Sequence, residues 1–175
     1  MAPPGNLYIV DNSEELRTGS HYLNEWCDLA SSFDIATGFF EIGALLELDG
    51  QWQKLDKIRI LMGGEVTYRT NKALLDAVRA RAEDHLDASL EADKNANPFL
   101  KGVEAVVEAL VSGKIECRVY NKAKFHAKTY ITHAKSDVIG PLALVGSSNF
   151  TRPGLSENVE LNIQATSRGD VHELQ

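Results

Sequence analysis

His126-Ala127-Lys128-Thr129-Tyr130-Ile131-Thr132 reads as a β-strand, and it anchors the reading of the whole chain. Successive side chains of a strand point to opposite faces, so His126, Lys128 and Tyr130 share one face while Ala127, Thr129 and Ile131 share the other. Three further strand candidates surround it: Ile115 to Tyr120, Leu142 to Val145 and Val159 to Ala165. Ahead of this run, strands and helices alternate. Leu7 to Val10, Phe33 to Phe40 and Lys57 to Met62 suit strands, the last closed by Gly63-Gly64. Leu16, Gly19, Leu23, Trp26 and Ala30 recur at helical spacing behind the capping residues Asp11 to Glu15. A short helix is predicted over Ile42 to Leu48 and a longer one from Asn71 to about Ala92, with Leu75, Val78, Ala82 and Leu86 on one stripe and His85 beside it. Asn97-Pro98 opens another, which Gly113 closes. Helices interleaved with strands and then a run of strands predict an α/β (α+β) fold, a mixed β-sheet flanked by helices on both faces.

A chain of 175 residues, 43% hydrophobic, can bury one full core, so residues 1–175 are expected to form a single domain. Ser167-Arg168-Gly169-Asp170 looks like a helix entry only a few residues before Gln175, which suggests a piece of a longer protein. No apolar run approaches the ~18 residues that would span a bilayer, and the first residues lack the features of a signal peptide. A cytoplasmic protein with no membrane partner is the expectation. Cys27 and Cys117 stand alone, without C-x-x-C spacing, and read as buried reduced thiols.

The net charge of -7 argues against a polyanion partner until its distribution is considered. Residues 114–152 hold seven basic residues and two acidic ones, a local +5 that leaves -12 for the rest of the chain. A basic stretch on an acidic body suits the binding of a nucleic acid, DNA ahead of RNA, and Lys122, Lys124, Lys135 and Arg152 are its candidate contacts.

Taken alone, His126-x-Lys128 fits an exposed edge strand as well as a catalytic one. Its company changes that. Pro141 to Val145 is a buried-type strand running into Gly146-Ser147-Ser148-Asn149, a turn of small residues whose hydroxyl and amide groups can hold phosphate oxygens. Beyond it Val159, Leu161 and Ile163 alternate with Glu160 and Asn162, which puts a carboxylate on the polar face of another strand. Glu160 there could orient an imidazole.

His126-x-Lys128, Gly146-Ser147-x-Asn149 and Glu160, in this order, resemble the phospholipase D superfamily, the H-K-D phosphodiesterases, and most closely its nuclease-like branch, which includes domains attached to helicases and restriction enzymes. The resemblance implies a phospholipase D-like α-β-α sandwich. It implies that His126 attacks phosphorus to give a phosphohistidine, and that Lys128 and Asn149, with Ser147 or Ser148, bind the non-bridging oxygens. It also implies that neither metal nor cofactor is needed. The full motif carries an acid five residues after the lysine, where this chain has His133, so Glu160 is taken as its substitute. The family mechanism uses two H-x-K motifs and this chain has one, which predicts either a homodimer that completes the site, the favoured reading, or a second motif beyond Gln175 in a longer protein. A lipid phosphodiester is a less supported substrate of the same chemistry. A DNA-binding or dimerisation module without turnover is the alternative reading.

Overall fold

Phe33, Ile35 and Thr37 are buried on one side of a long strand, and the sheet is organised around that strand. The structure, a computed structural model, describes residues 9–48, 50–66, 72, 74 and 98–175. Its strands are β1 (Ile9–Val10), β2 (Ala30–Phe40), β3 (Lys57–Val66), β4 (Ile115–Val119), β5 (Lys128–Ala134), β6 (Leu142–Gly146) and β7 (Asn162–Ala165). They form one seven-stranded sheet in the order β1-β7-β6-β5-β2-β3-β4. Strands β2, β3 and β4 are mutually parallel, and the pairings on the other side of β2 are antiparallel. The sheet is thus mixed, as expected, and a crossover helix separates β3 from β4.

Helices α1 (Gly19–Leu29), α2 (Ile42–Glu47) and α3 (Pro98–Val111) share one face. Leu23, Trp26 and Cys27 of α1, Ile42 and Leu45 of α2, and Val106 and Leu110 of α3 form one core with Phe33, Ile35, Ile58, Ile60, Met62, Tyr130 and Leu144 of the sheet. Burying a side chain of this size contributes about 1.5–3 kcal/mol, so this layer carries most of the stability. The opposite face is covered by the short helix α4 (Arg168–Leu174), whose Val171 packs on Ile131, Ala143 and Ala165. The Ser167 hydroxyl caps α4 by accepting from the Asp170 N–H at 3.1 Å. Cys27 and Cys117 are free thiols, and burial pushes both up to about 12.

Several elements differ from the sequence expectation. The first helix begins at Gly19, with the Thr18 hydroxyl as its cap, instead of near Ser13. Asp11 uses its carboxylate on the Ser13 N–H and on Arg17, and Asn12 adopts φ +57°, so residues 11–14 turn before any helix can start. Leu16 is consequently exposed. Strand β3 runs on through Gly63-Gly64. The strand expected over Val159 to Ala165 begins only at Asn162 and is inverted with respect to burial: Val159, Leu161 and Ile163 are 94%, 60% and 56% exposed, whereas Asn162 is fully buried. Apart from residues 72 and 74, the helix expected over Asn71 to Ala92 lies outside the described residues. No helix among the described residues is long and apolar enough to cross a membrane.

Candidate active site

The C-terminal ends of β2, β3 and β4 meet the first residue of β5 at one end of the sheet. Such an end is where the loops of a parallel sheet can build a site. Gly38, Gly63 and Phe125 approach backbone to backbone there. A Cβ on Gly63 would lie 2.4 Å from the Gly38 carbonyl oxygen, and one on Gly38 would lie 2.8 Å from the Phe125 carbonyl oxygen. Only glycines permit that approach, and it brings Phe125 and His126 over the strand ends. The Gly38 N–H donates to the Ala127 carbonyl at 2.8 Å, so pairing with β2 extends one residue ahead of β5. A cleft of about 500 Å³ opens at this point, lined by His126, Asn149, Lys124, Phe125, Tyr120 and Phe39 among others. The His126 side chain is exposed, and the Lys128 ammonium donates to the His126 carbonyl at 3.0 Å. The histidine therefore lines the cleft, and the lysine, which is not one of the lining residues, is bonded to its backbone.

Asn149 reaches the cleft because Phe150, the next residue, is rooted in the core. The Phe150 ring is fully buried, stacks on Phe40 at 5.7 Å and touches Tyr130 at 5.5 Å and Phe33 at 6.1 Å. Its N–H donates to the buried Thr37 hydroxyl at 3.0 Å. The Phe39 N–H then donates to Asn149 Oδ1 at 3.2 Å. With its oxygen so engaged, Asn149 keeps its NH2 group as the donor it can offer at the cleft.

The remaining turn residues are placed differently from one another. Ser147 donates its hydroxyl proton to the Glu160 carboxylate and accepts from the Leu161 N–H at 2.9 Å. Glu160 thus holds Ser147, and no hydrogen bond joins it to His126. Ser148, expected as a phosphate ligand, is fully buried. Its N–H donates to Asn162 Oδ1 at 3.2 Å, its hydroxyl accepts from Asn162 Nδ2 at 2.8 Å, and its carbonyl accepts from the Tyr130 hydroxyl. Ser148 therefore fixes the turn from inside and does not line the cleft. Burial, the largest influence on the Tyr130 hydroxyl, raises its pKa, so Tyr130 remains a neutral donor.

The expected basic contacts separate into two groups. Lys122 and Lys124 are exposed on the segment between β4 and β5, at the cleft end. Lys135 follows the last residue of β5, roughly 23 Å from Lys128 by strand rise. It is not part of this site; its ammonium donates to the Asp28 carbonyl at 3.3 Å. Arg152 is paired with Glu47 at 2.9 Å and Glu157 at 3.3 Å, which cancels its charge locally. The motif acid expected five residues after Lys128 is replaced by His133, whose Nε2 lies 2.9 Å from Asp34 Oδ2. Arg59 bonds the same carboxylate through two nitrogens. Burial alone would raise the Asp34 carboxyl, but hydrogen bonds from His133 and Arg59 and their charges outweigh it and hold the pKa below the ordinary value. An acid therefore does stand beside position 133, supplied by the neighbouring strand.

Sequence reasoning missed Phe150 and Asn162, the two side chains that anchor the turn, and the cleft-lining Tyr120, Phe125 and Phe39. A phenylalanine directly after the Gly146-Ser147-Ser148-Asn149 turn was a visible signal for the first. The other roles arise from contacts distant along the chain. Among the described residues no group of three or more His, Cys, Asp or Glu side chains is arranged to hold a metal ion.

Residues 32–175 match the family model described as "Cardiolipin synthase, PLD-like domain". No curated protein matches the chain. Among solved structures, NucT from Helicobacter pylori is similar at 14% identity and a TM-score of 0.51, over 95% of this chain and 88% of that one. That likeness shows a shared fold. A mutant of yeast tyrosyl-DNA phosphodiesterase 1 is similar at 14% identity and a TM-score of 0.46, over 79% of this chain and 26% of that one. The chain thus spans about a quarter of the yeast enzyme's length. TrmBL2, an archaeal chromatin protein, is similar at 14% identity and a TM-score of 0.47, over 98% of this chain and 50% of that one.

Proposed function

Given that this chain belongs to the phospholipase D-like family, we propose that it is a phosphodiesterase that cuts nucleic acid, DNA ahead of RNA, through a covalent phosphohistidine at His126. The observation that carries this reading is the meeting of His126 and Asn149 in one cleft, with Lys128 bonded to the backbone of His126. An imidazole nitrogen of His126 attacks phosphorus, and the bond from phosphorus to the leaving sugar oxygen breaks. Lys128 and the Asn149 NH2 group stabilise the negative charge that builds on the non-bridging oxygens. The leaving oxygen needs a proton, and a second histidine supplies it; the same group then takes a proton from the water that hydrolyses the phosphohistidine. The nucleophile and the acid are both imidazoles, so no metal or other cofactor enters these steps.

The second histidine comes, in this reading, from another copy of the chain in a homodimer. The exposed apolar strip of Ile9, Val159, Leu161 and Ile163, beside the Ser147 turn, supports a partner on that side. Glu160 is a positioning residue that acts through Ser147. Lys122 and Lys124 guide the polyanion to the cleft. A place as the nuclease part of a helicase or restriction system, in the cytoplasm, fits the same reading.

Cleavage of DNA in EDTA by wild type and His126→Ala tests it. Wild-type turnover and a loss of at least roughly a thousandfold in the variant are expected. Wild-type turnover retained by His126→Ala, or seen only with added metal, would sink the mechanism. A cleaving species that sediments as a strict monomer would remove the second copy from it. One observation favours a non-catalytic DNA-binding module instead, the bond from Glu160 to Ser147 in place of His126. That reading predicts binding without cleavage, equal in wild type and His126→Ala.

A further inference from the structure

The core of this protein takes in large aromatic side chains completely: Phe33, Phe40, Phe150 and Tyr130 are all within 2% of full burial. Tyr120 and Phe125, like Tyr22 and Phe39, are exceptions. Both are only partly buried, both line the cleft beside His126, and their rings lie 5.3 Å apart with planes inclined at 35°. They keep this position because the backbone beneath them is fixed. The Tyr120 N–H donates to the Met62 carbonyl at 2.8 Å, and the Phe125 carbonyl sits against Gly38 and Gly63 with no room for a side chain between. The five-residue step from Tyr120 to Phe125 carries Lys122 and Lys124, both exposed. A cleft of about 500 Å³ lies within the range that encloses one small ligand such as a nucleotide.

We propose that Tyr120 and Phe125 form a stacking platform for one unpaired nucleobase next to the phosphate that His126 attacks, so that the substrate is single-stranded nucleic acid or a frayed end. This rests on the functional reading above and adds the substrate class to it. A base held in a duplex is already stacked on both faces and cannot lie on these rings without leaving the helix. An unpaired base can, and because every base has a π-face the contact is tolerant of sequence. Lys122 and Lys124 neutralise the backbone on either side of the stacked nucleotide. The platform also separates two contributions. The lysines attract any nucleic acid, whereas the aromatic pair discriminates by strandedness.

The test is binding, measured in EDTA by fluorescence anisotropy on the full chain, with a short single-stranded DNA and a duplex of the same length. The Tyr120→Leu, Phe125→Leu double variant keeps apolar bulk and removes the ring faces. We expect its affinity for the single strand to fall roughly tenfold or more, with duplex binding changed less than about twofold. An oligonucleotide with one abasic site, moved position by position, should cost wild type a similar factor at one register and cost the double variant nothing further. The abasic series uses unaltered protein, so it decides the question even if the double variant does not fold. Wild type that binds every abasic strand as well as the intact one, or duplex as well as single strand, overturns the platform. Cleavage by wild type that is lost in His126→Ala, with no abasic register detected, would overturn this inference and leave the mechanism standing. Stacking retained with no cleavage by wild type would do the reverse.

Discussion

The two ends of the sheet carry similar numbers of lysines and treat them in opposite ways. At the end away from the cleft, Lys54 pairs with Asp28 at 2.6 Å and Lys57 pairs with Glu116. Lys114 there donates to the Gln53 carbonyl at 2.5 Å and Lys135 to the Asp28 carbonyl. At the cleft end, Lys122 and Lys124 have no acidic partner among the described residues. Charge summed along residues 114–152 therefore overstates the positive charge at the cleft, because Arg152 is paired with Glu47 and Glu157 while Lys114 and Lys135 lie at the other end of the sheet. A polyanion that enters the cleft meets unpaired charge there, and among the described residues Lys122 and Lys124 supply it.

The largest expected effect bears on how the cleft end is built. Gly63→Ala forces a Cβ against the Gly38 carbonyl and should cost about 2 kcal/mol of stability in urea unfolding, with loss of cleavage, because strand backbones cannot give way cheaply. Gly64→Ala, next along the same strand and with nothing within 4 Å of a Cβ, should leave both stability and cleavage near wild type. Equal costs at the two positions would show that the close approach is not what shapes the cleft. A smaller effect is expected from charge. Replacing Lys122 and Lys124 together by Gln should weaken DNA binding on the order of tenfold and lower the salt slope by about 2, read from titrations at several salt concentrations. Replacing Lys114 and Lys135 should leave that slope unchanged. A shared slope change would erase the distinction between the two ends.

The smallest effect concerns the paired half of the sheet. The Asp34 carboxyl, held below its ordinary pKa of 3.8, contributes stability that is complete above that value and lost as pH falls through the lower native one. Asp34→Asn should therefore cost about 1 kcal/mol at pH 7, and the gap from wild type should close in acid below pH 3.8. Urea unfolding at pH 7, 5 and 3 reads it; a gap that stays constant would mean that packing, not the carboxylate, sets the cost.

Much of the sheet was legible in the sequence, since β2, β4, β5 and β6 follow from alternation and turn residues that act locally, though β5 runs from Lys128 to Ala134 and leaves His126 two residues ahead of it. The order of the motif residues along the chain pointed to His126 and Asn149, which line one cleft. Strand β7 was not legible. Alternation reveals that two faces exist but not which one turns inward, and here the inward position went to Asn162. A buried amide is tolerated only because Ser148 and the Val10 carbonyl satisfy it, and those partners lie 14 and 152 residues away in sequence. The start of α1 was misread for a related reason. Asp11, Asn12 and Ser13 can cap a helix or close a turn, and the choice fell to the Asn12 side chain, which bonds the Gly154 and Asn158 carbonyls at 3.0 and 2.9 Å. Lys135 was misplaced because nearness along a strand is distance in space.

Those long-range bonds of Asn162 and Asn12 have a consequence for how the molecule is made. Val10 and Asn162 are 152 residues apart, and among the described residues β1 pairs with β7 alone. At synthesis rates of about 5–20 residues per second, the first strand waits on the order of ten to thirty seconds for its partner to be translated. Closing so large a loop belongs late in folding. The clamp on Ser148 is completed by that same event, so the turn that carries Asn149 reaches its final form only when the first strand and the last have found each other.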